Sequence, residues 1–225
     1  ITALILRNVK KWILTMIFID KNYDRPGNEG QVSQIGSESA QENQPDAPAW
    51  NLLECFAEVK TPWLILKGER WRDSQANTWH YCRVEKAATL VVLPQQGDRL
   101  LLPHPIFRPG IGRATWDFPG GQLTDLKKVK PTLAEILHRE LEVPPYAIAE
   151  IVPLNAGGWP VNSSFSNQKL YGYWVKIDGD FLLSPKAIGA DFQVPSQLTD
   201  LLKILDCLQC RALLPECQQI NTLIM

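Results

Sequence analysis

Acidic and basic side chains cluster in a short segment that follows a pair of glycines. Gly120 and Gly121 end the run Trp-Asp-Phe-Pro-Gly-Gly, and the segment that comes next carries Glu135, Arg139 and Glu140. Carboxylates on one helix can hold a divalent cation, and a pair of glycines in a turn lets the backbone come close to a phosphate. These residue types therefore indicate phosphate chemistry assisted by a hard metal ion.

The segment that carries these charges is predicted to be a helix over residues 131–142. Pro131 suits its first turn, and Pro144 with Pro145 ends it. Glu135 and Arg139 are four residues apart, so an ion pair within the helix is the plainer explanation of both side chains. The predicted apolar face consists of Leu133, Ile136, Leu137 and Leu141.

Most of the remaining chain after Trp50 is predicted to be β-strand. Runs of β-branched, aromatic and aliphatic residues bounded by turn signals predict the strands 61–71, 78–84, 88–94, 99–103, 148–154 and 169–177. Residues 155–167 form a long loop rich in Gly, Pro, Asn and Ser, and such loops often carry binding residues. A further helix is predicted from Ser196 through Leu208, with Ser196 as its N-cap.

Length and charge restrict the classes of function. A chain of 225 residues with 45% apolar residues can bury one substantial core plus an additional segment. Its formal net charge of −1 gives no electrostatic reason to expect binding to nucleic acid. We expect a domain over residues 50–185 and a C-terminal helical extension over residues 186–225.

The N-terminal residues differ from this domain in composition. Residues 1–20 are apolar but are interrupted by Arg7, Lys10 and Lys11. The uninterrupted apolar run is therefore much shorter than a membrane-spanning helix, which needs about 20 residues. Residues 21–49 hold few large apolar side chains, which is typical of a disordered linker.

Five cysteines, an odd number, do not suggest a disulfide framework, so we expect a reducing, cytoplasmic location. Cys207 and Cys210 have the spacing of half a zinc site, but such a site needs a second pair of ligands and only Cys217 is near. The spacing therefore favours an ordinary packing role over a metal or redox role.

The order of strands, glycine turn, helix, strand and long loop resembles that of the Nudix hydrolases, in the branch that cleaves ADP-ribose and related ADP-sugars. Residues 139–141, Arg-Glu-Leu, match the R-E-U core of the family signature G-x5-E-x7-R-E-U-x-E-E-x-G-U, in which U is a bulky aliphatic residue. Residues 119–121, Pro-Gly-Gly, match the preceding turn. Residues 104–108 are similar to the branch's Q-Y-R stretch, and residues 164–168 are similar to its G-F-S-D-E loop. The similarity covers roughly residues 60–178.

The chain departs from this family at the acidic positions. Val143 and Pro144 stand where the signature has its E-E pair, and Gln168 stands where the loop has its acid. The loop between Gly121 and the helix is also longer than the signature allows. Glu140 is the one signature carboxylate that remains.

The resemblance implies an α+β fold, a Nudix-type α/β/α sandwich with a mixed central β-sheet plus a C-terminal helix. It implies attack of water on a diphosphate linkage, assisted by Mg²⁺ or Mn²⁺. Glu140 would be the main metal ligand, Asp125 a second one, and Asp117 and Glu142 would assist catalysis. The residues implied to contact substrate are Arg108, Gly120, Gly121, Arg139, Phe165 and Gln168, with Trp159 as an alternative aromatic platform.

Two other functions stay open on the sequence. A Nudix-type module without hydrolysis would bind a nucleotide sugar or regulate a partner, because the glycines and Arg108 suit binding while the missing acids are needed for chemistry. A structural or protein-interaction role would use the apolar C-terminal helix and its cysteines. Homodimer formation is implied only by analogy with the ADP-sugar branch.

Overall fold

The structure is a computed structural model that describes the backbone of residues 49–224 and the side chains of residues 49–219. The predicted apolar segment 1–20 and the predicted linker up to residue 48 lie outside the described residues. Among the described helices, none is long and apolar enough to cross a membrane.

Three antiparallel strands form a small sheet at the start of the described chain. They are β1 (Asn51–Lys60), β2 (Ile65–Arg72) and β3 (Thr78–Glu85), with β2 in the middle. Glu69 on β2 is buried and receives two hydrogen bonds from Arg83 on β3, at 2.7 and 2.9 Å. This sheet is joined to a later loop, because the amide of Val84 donates to the carbonyl of Phe165 at 2.8 Å.

The central sheet is mixed. Strand β4 (Ala88–Gln96) pairs in parallel with β11 (Lys169–Ile177) on one side and antiparallel with β8 (Gly120–Leu123) and β5 (Arg99–Leu102) on the other. The remaining strands of this sheet are β9 (Ile148–Pro153), β10 (Trp159–Pro160) and β12 (Ala190–Gln193). A separate hairpin consists of β6 (Ile106–Arg108) and β7 (Arg113–Thr115).

Helices cover both faces of the central sheet. Successive side chains of a strand point to opposite faces, so Leu90 and Val92 pack with helix α1 (Val129–Leu141) on one side. Val91 and Leu93 pack on the other side with α2 (Leu198–Ile204) and α3 (Leu208–Ile224). The result is the α/β/α arrangement that the resemblance implied.

Most predicted strands are confirmed, and the predicted face of α1 is the one that is buried. Three details differ. The predicted turn at Gly120 and Gly121 is wrong, because both residues lie in strand β8. The single helix from Ser196 to Leu208 is instead two helices, with Gln197 rather than Ser196 at the N-cap of α2. Strands β1, β6, β7, β8, β10 and β12 were not predicted.

Candidate functional site

Arg139 connects the end of helix α1 to strand β8. Its Nη2 atom donates to the carbonyl oxygen of Gly120 at 2.9 Å and lies 2.5 Å from Oε1 of Glu140. The predicted pairing of Arg139 with Glu135 is therefore replaced by a pairing with Glu140. The arginine fixes the carboxylate of Glu140, whose side chain is only 15% exposed.

Helix α1 ends one residue after Glu140. The amide of Glu142 donates to the carbonyl of His138 at 3.1 Å, and the amide of Val143 donates to that of Leu137 at 3.3 Å. The first of these bonds is that of an αL C-cap motif, in which the residue after the last helical turn adopts a left-handed conformation. Glu142 does so with φ 57°, which turns the chain so that the Val143 side chain is fully buried.

A cavity of about 480 Å³ lies beside Glu140. It is open to solvent and has both acidic and basic walls, because Glu140 and Glu142 face it together with Arg139 and Lys186. Its lining consists of Pro103, His104, Ile106, Arg139, Glu140, Glu142, Lys186 and Ala187. A cavity of this volume can hold a ligand of the size of a nucleotide.

One wall of this cavity depends on a glycine. A Cβ atom on Gly189 would lie 2.7 Å from the carbonyl oxygen of Pro103 and 2.7 Å from the backbone nitrogen of His104. The segment before Gly189 can therefore lie directly against residues 103 and 104. Nε2 of His104 is 3.1 Å from the carbonyl oxygen of Lys186, and since a carbonyl only accepts, Nε2 carries the proton.

A second, much smaller cavity shares the lining residues Pro103, His104, Ile106 and Glu140 with the first. Asp117 lines it and accepts hydrogen bonds on Oδ2 from Nε of Arg108 at 2.8 Å and from the buried hydroxyl of Thr115 at 3.1 Å. The Nη2 atom of Arg108 also lies at a distance of 2.6 Å from the same oxygen. The two predicted site residues Arg108 and Asp117 are thus brought together as an ion pair next to Glu140.

Asp117 also meets the cysteine pair at the start of α3. Its carboxylate and the sulfurs of Cys207 and Cys210 all lie within 4.8 Å of one another, and we call these three residues the Cys-Asp cluster. A hydrogen bond from the Cys210 thiol is the main cause that lowers the pKa of Cys207 to about 6. The same bond, together with burial, raises the pKa of Cys210.

The two glycines of β8 have packing roles. A Cβ atom on Gly121 would lie 3.0 Å from Cδ1 of Ile136 on α1, and one on Gly120 would lie 3.1 Å from the carbonyl oxygen of Leu90 on β4. Both distances are tighter than ordinary contacts, so the glycines let α1 and β4 approach β8 closely. Their predicted contact with substrate stays a prediction.

Three of the predicted site residues lie away from the two cavities. Gln168 is buried, and its amide donates to the hydroxyl of Thr89 at 2.5 Å. Phe165 is 45% exposed on the loop that joins the small sheet. Asp125 caps a short 3-10 helix, accepting from the amide of Lys127 at 2.9 Å. None of the three belongs to the lining of either described cavity, and their binding roles stay predictions.

Comparison with known proteins supports the fold and leaves the family open. No family model and no curated protein matches the chain. A solved structure described as an ADP compounds hydrolase matches with a TM-score of 0.62 and 13% identity, covering 80% of this chain and 97% of that one. The fold is of the Nudix type. At that identity, the likeness to the hydrolase concerns the Nudix-type fold alone.

The described site therefore contains part of what the sequence predicted. Glu140, Glu142 and Arg139 share the large cavity, while Arg108 and Asp117 share the small one. Sequence reasoning missed Lys186 and the role of His104, because the fold alone brings residues 184–189 against residues 103 and 104. Two carboxylates on one cavity fit a hard cation such as Mg²⁺, which often takes one or two protein carboxylates and completes its shell with water and substrate phosphates.

Proposed function

We propose that the chain is a hydrolase that cleaves the diphosphate linkage of a nucleoside-diphosphate compound such as ADP-ribose or an ADP-sugar, with low turnover. The observation that supports this proposal best is the large cavity in which Glu140 and Glu142 face Arg139 and Lys186. Carboxylates suit a divalent cation, and the basic side chains suit phosphate oxygens. The similarity to the fold of an ADP compounds hydrolase points to the same substrate class.

In this proposal, Mg²⁺ or Mn²⁺ would be held by Glu140 and Glu142 and would lower the negative charge that an attacking water meets at phosphorus. Arg139 positions the carboxylate of Glu140 through its two contacts. Lys186 and Arg139 would bind phosphate oxygens. His104, with Nε2 directed at a carbonyl, has Nδ1 left as the ring atom that can accept a proton or a hydrogen bond.

The low turnover follows from the end of helix α1. In the family signature, the two acids after R-E-U lie on the same helix as the glutamate of R-E, which brings three carboxylates to one face. Here the helix ends at Leu141, and Val143 is in the core. A cation held by fewer carboxylates binds weakly until a substrate supplies its phosphate oxygens.

A second candidate function, binding without hydrolysis, is favoured by the same helix end and by Gln168. The buried amide of Gln168 bonds to Thr89, and an amide cannot act as a base. A nucleotide-sugar-binding or regulatory module would keep the cavity and its basic residues while lacking the two adjacent carboxylates of the family signature.

One experiment distinguishes the two functions. The purified chain is incubated with ADP-ribose or an ADP-sugar and Mg²⁺ or Mn²⁺, and release of AMP is measured, alongside calorimetric titration with the same compounds. We expect metal-dependent release that falls about 100-fold or more in Glu140→Gln, because a metal's charge stabilisation is worth several kcal/mol.

Glu135→Gln is the matched control, because this exposed glutamate lies on the same helix outside the cavity lining. Turnover that survives Glu140→Gln contradicts the metal role of Glu140. Saturable binding without AMP release favours the second candidate, and the absence of both contradicts each of them.

We further propose that the chain forms a homodimer through its three-stranded sheet. Every residue of β1 is exposed, including Leu52, Phe56 and Val59, each at least half exposed. Exposed apolar surface of this extent marks interaction sites. Light scattering should give twice the chain mass, and Val59→Glu should shift the protein towards monomer; a wild-type monomer would contradict the proposal.

A further inference from the structure

We propose that the Cys-Asp cluster is a binding site for a thiophilic divalent cation, with Zn²⁺ as the expected ion. Two sulfurs and one carboxylate oxygen within 4.8 Å are ligand types that zinc prefers. With Zn–S bonds of about 2.3 Å, the sulfurs of a tetrahedral site lie about 3.8 Å apart, which small side-chain rotations would reach here. The inference does not depend on the proposed hydrolase function.

Contacts between segments that are distant in sequence bring the three ligands together. Trp116, next to Asp117, forms a parallel bridge with Leu205 just before the cysteine pair. Nη2 of Arg113 bonds to Oδ1 of Asp206 at 2.8 Å. These contacts hold the segment that leads into β8 against the turn between α2 and α3. The approach of Asp117 to the cysteines is thus part of the packed fold.

Charge also suits a divalent ion at this place. With both thiols deprotonated, the Cys-Asp cluster would carry three negative charges, and the Arg108 guanidinium bonded to Asp117 adds one positive charge. The remaining two negative charges are those that a divalent cation neutralises. The contacts from Arg108 and from Thr115 all fall on Oδ2 of Asp117, which leaves Oδ1 as the oxygen for the ion.

The surroundings of the sulfurs resemble the outer shell of a zinc site. The amide of Phe118 donates to Sγ of the buried Cys210 at 3.4 Å, and a hydrogen bond of this kind stabilises a thiolate and fixes its orientation. Cys207 directly precedes helix α3, where the helix dipole favours a negatively charged sulfur. Three protein ligands leave one coordination position open to water or another ligand.

Alkylation of the unmodified chain tests the site without any substitution. The reduced, chelator-treated protein is labelled with iodoacetamide, with and without added Zn²⁺, and labelled cysteines are identified by mass spectrometry. We expect Zn²⁺ to slow labelling of Cys207 about 10-fold or more, since a bound thiolate is no longer free to react. Labelling of the exposed Cys55 and Cys82 serves as the internal control and should not change.

Cobalt titration identifies the ligands. Co²⁺ bound by two thiolates in tetrahedral geometry gives sulfur-to-metal charge-transfer absorption in the near ultraviolet and intense bands in the red. We expect about one ion per chain in the wild type and in Cys82→Ser. Loss of an outer-shell contact weakens metal binding about 10–100-fold. Cys207→Ser and Asp117→Asn should each weaken cobalt binding by more than this, because each removes a direct ligand.

Circular dichroism of the metal-free variants confirms that each is folded before its affinity is compared. The proposal is overturned if Zn²⁺ leaves the labelling of Cys207 unchanged or if the cobalt complex lacks thiolate bands. An unchanged affinity in Asp117→Asn overturns the three-ligand assignment. Formation of a Cys207–Cys210 disulfide by a protein that binds no cobalt when reduced also overturns it, because the pair would then be a redox dithiol.

Discussion

The amide of Val143 donates to the carbonyl of Leu137, and this bond directs the chain away from the site one residue after the last turn of helix α1. Glu142, between the helix and Val143, takes the left-handed conformation that the motif requires, with φ 57°. It also faces the large cavity. The same residue therefore carries a backbone strain and a candidate metal-binding carboxylate, and substitutions can separate the two.

Replacing Glu142 with glycine should stabilise the fold while weakening metal-dependent function. A left-handed conformation costs a residue with a Cβ about 1 kcal/mol and costs glycine almost nothing, so urea unfolding should show a gain of about 0.5–1 kcal/mol. The loss of the carboxylate should lower Mg²⁺-dependent AMP release about 10-fold or more.

Ala76→Gly is the matched control, because Ala76 has φ 64° on an exposed hairpin turn that lies outside both cavities. It should give a similar gain in stability with no change in AMP release. If Glu142→Gly leaves metal-dependent release unchanged, Glu142 acts only at the helix end.

Restoring an acid at position 143 should not restore a metal site. The Val143 side chain is fully buried beneath the helix end, so Val143→Glu would place a carboxylate in the core rather than in the cavity. Burial of an unpaired carboxylate should lower the free energy of unfolding by about 3 kcal/mol or more. Thermal and urea unfolding measure this change.

Leu126→Glu introduces the same side chain at an exposed position close to α1 and should cost far less stability. A stable Val143→Glu protein with increased Mg²⁺ affinity would show that the helix can be extended into the site, contrary to this expectation.

Local patterns were sufficient to predict the central elements but not the details of the site. Period and composition identified α1 with its buried face and most strands of both sheets, since these signals lie within single segments. The exposed apolar β1 was not predicted, because its side chains do not alternate between a buried and an exposed face. Short β12 owes its strand conformation to its pairing with β5.

The site depended on contacts between distant segments, which no spacing rule reveals. The sequence around Cys207 and Cys210 does not reveal Asp117 as a third ligand, because Asp117 lies far away along the chain. Likewise, Lys186 reaches the cavity only because Gly189 lets its segment pack on residues 103 and 104. The sequence shows that the two signature glutamates are replaced by Val143 and Pro144. It does not show that Val143 is buried, because that burial follows from the conformation in which helix α1 ends.

The buried ion pair of the small sheet should make stability depend on acid pH. Hydrogen bonds from Arg83 are the main cause that lowers the pKa of Glu69 below its ordinary value of 4.5. The unfolded chain therefore takes up a proton at higher pH than the folded protein. The stabilisation is fully present above about pH 4.5 and is lost as the pH falls through the lower, folded pKa.

Glu69→Gln should lower the free energy of unfolding by about 2 kcal/mol at neutral pH, because Arg83 and the indole of Trp71 lose a charged acceptor, while Arg83 keeps its contact with Glu85 at 2.9 Å. The difference from wild type should shrink as the pH is lowered below about 4.5. Glu135→Gln, at an exposed position, should show little difference at any pH. A Glu69→Gln deficit that is constant with pH would contradict the role of the ionised carboxylate.

The wall of the large cavity should be sensitive to a single methyl group at residue 189. In Gly189→Ala the new Cβ would lie 2.7 Å from backbone atoms of Pro103 and His104, which cannot rotate away as a flexible side chain could. The segment that carries Lys186 must then move outward, at a cost of about 1–3 kcal/mol in unfolding free energy. Gly110→Ala, where a Cβ meets no atom within 4 Å, should be neutral. Because the wall moves with Lys186, calorimetry should show weaker nucleotide binding for Gly189→Ala alone, and equal binding by both variants would place the ligand outside this cavity.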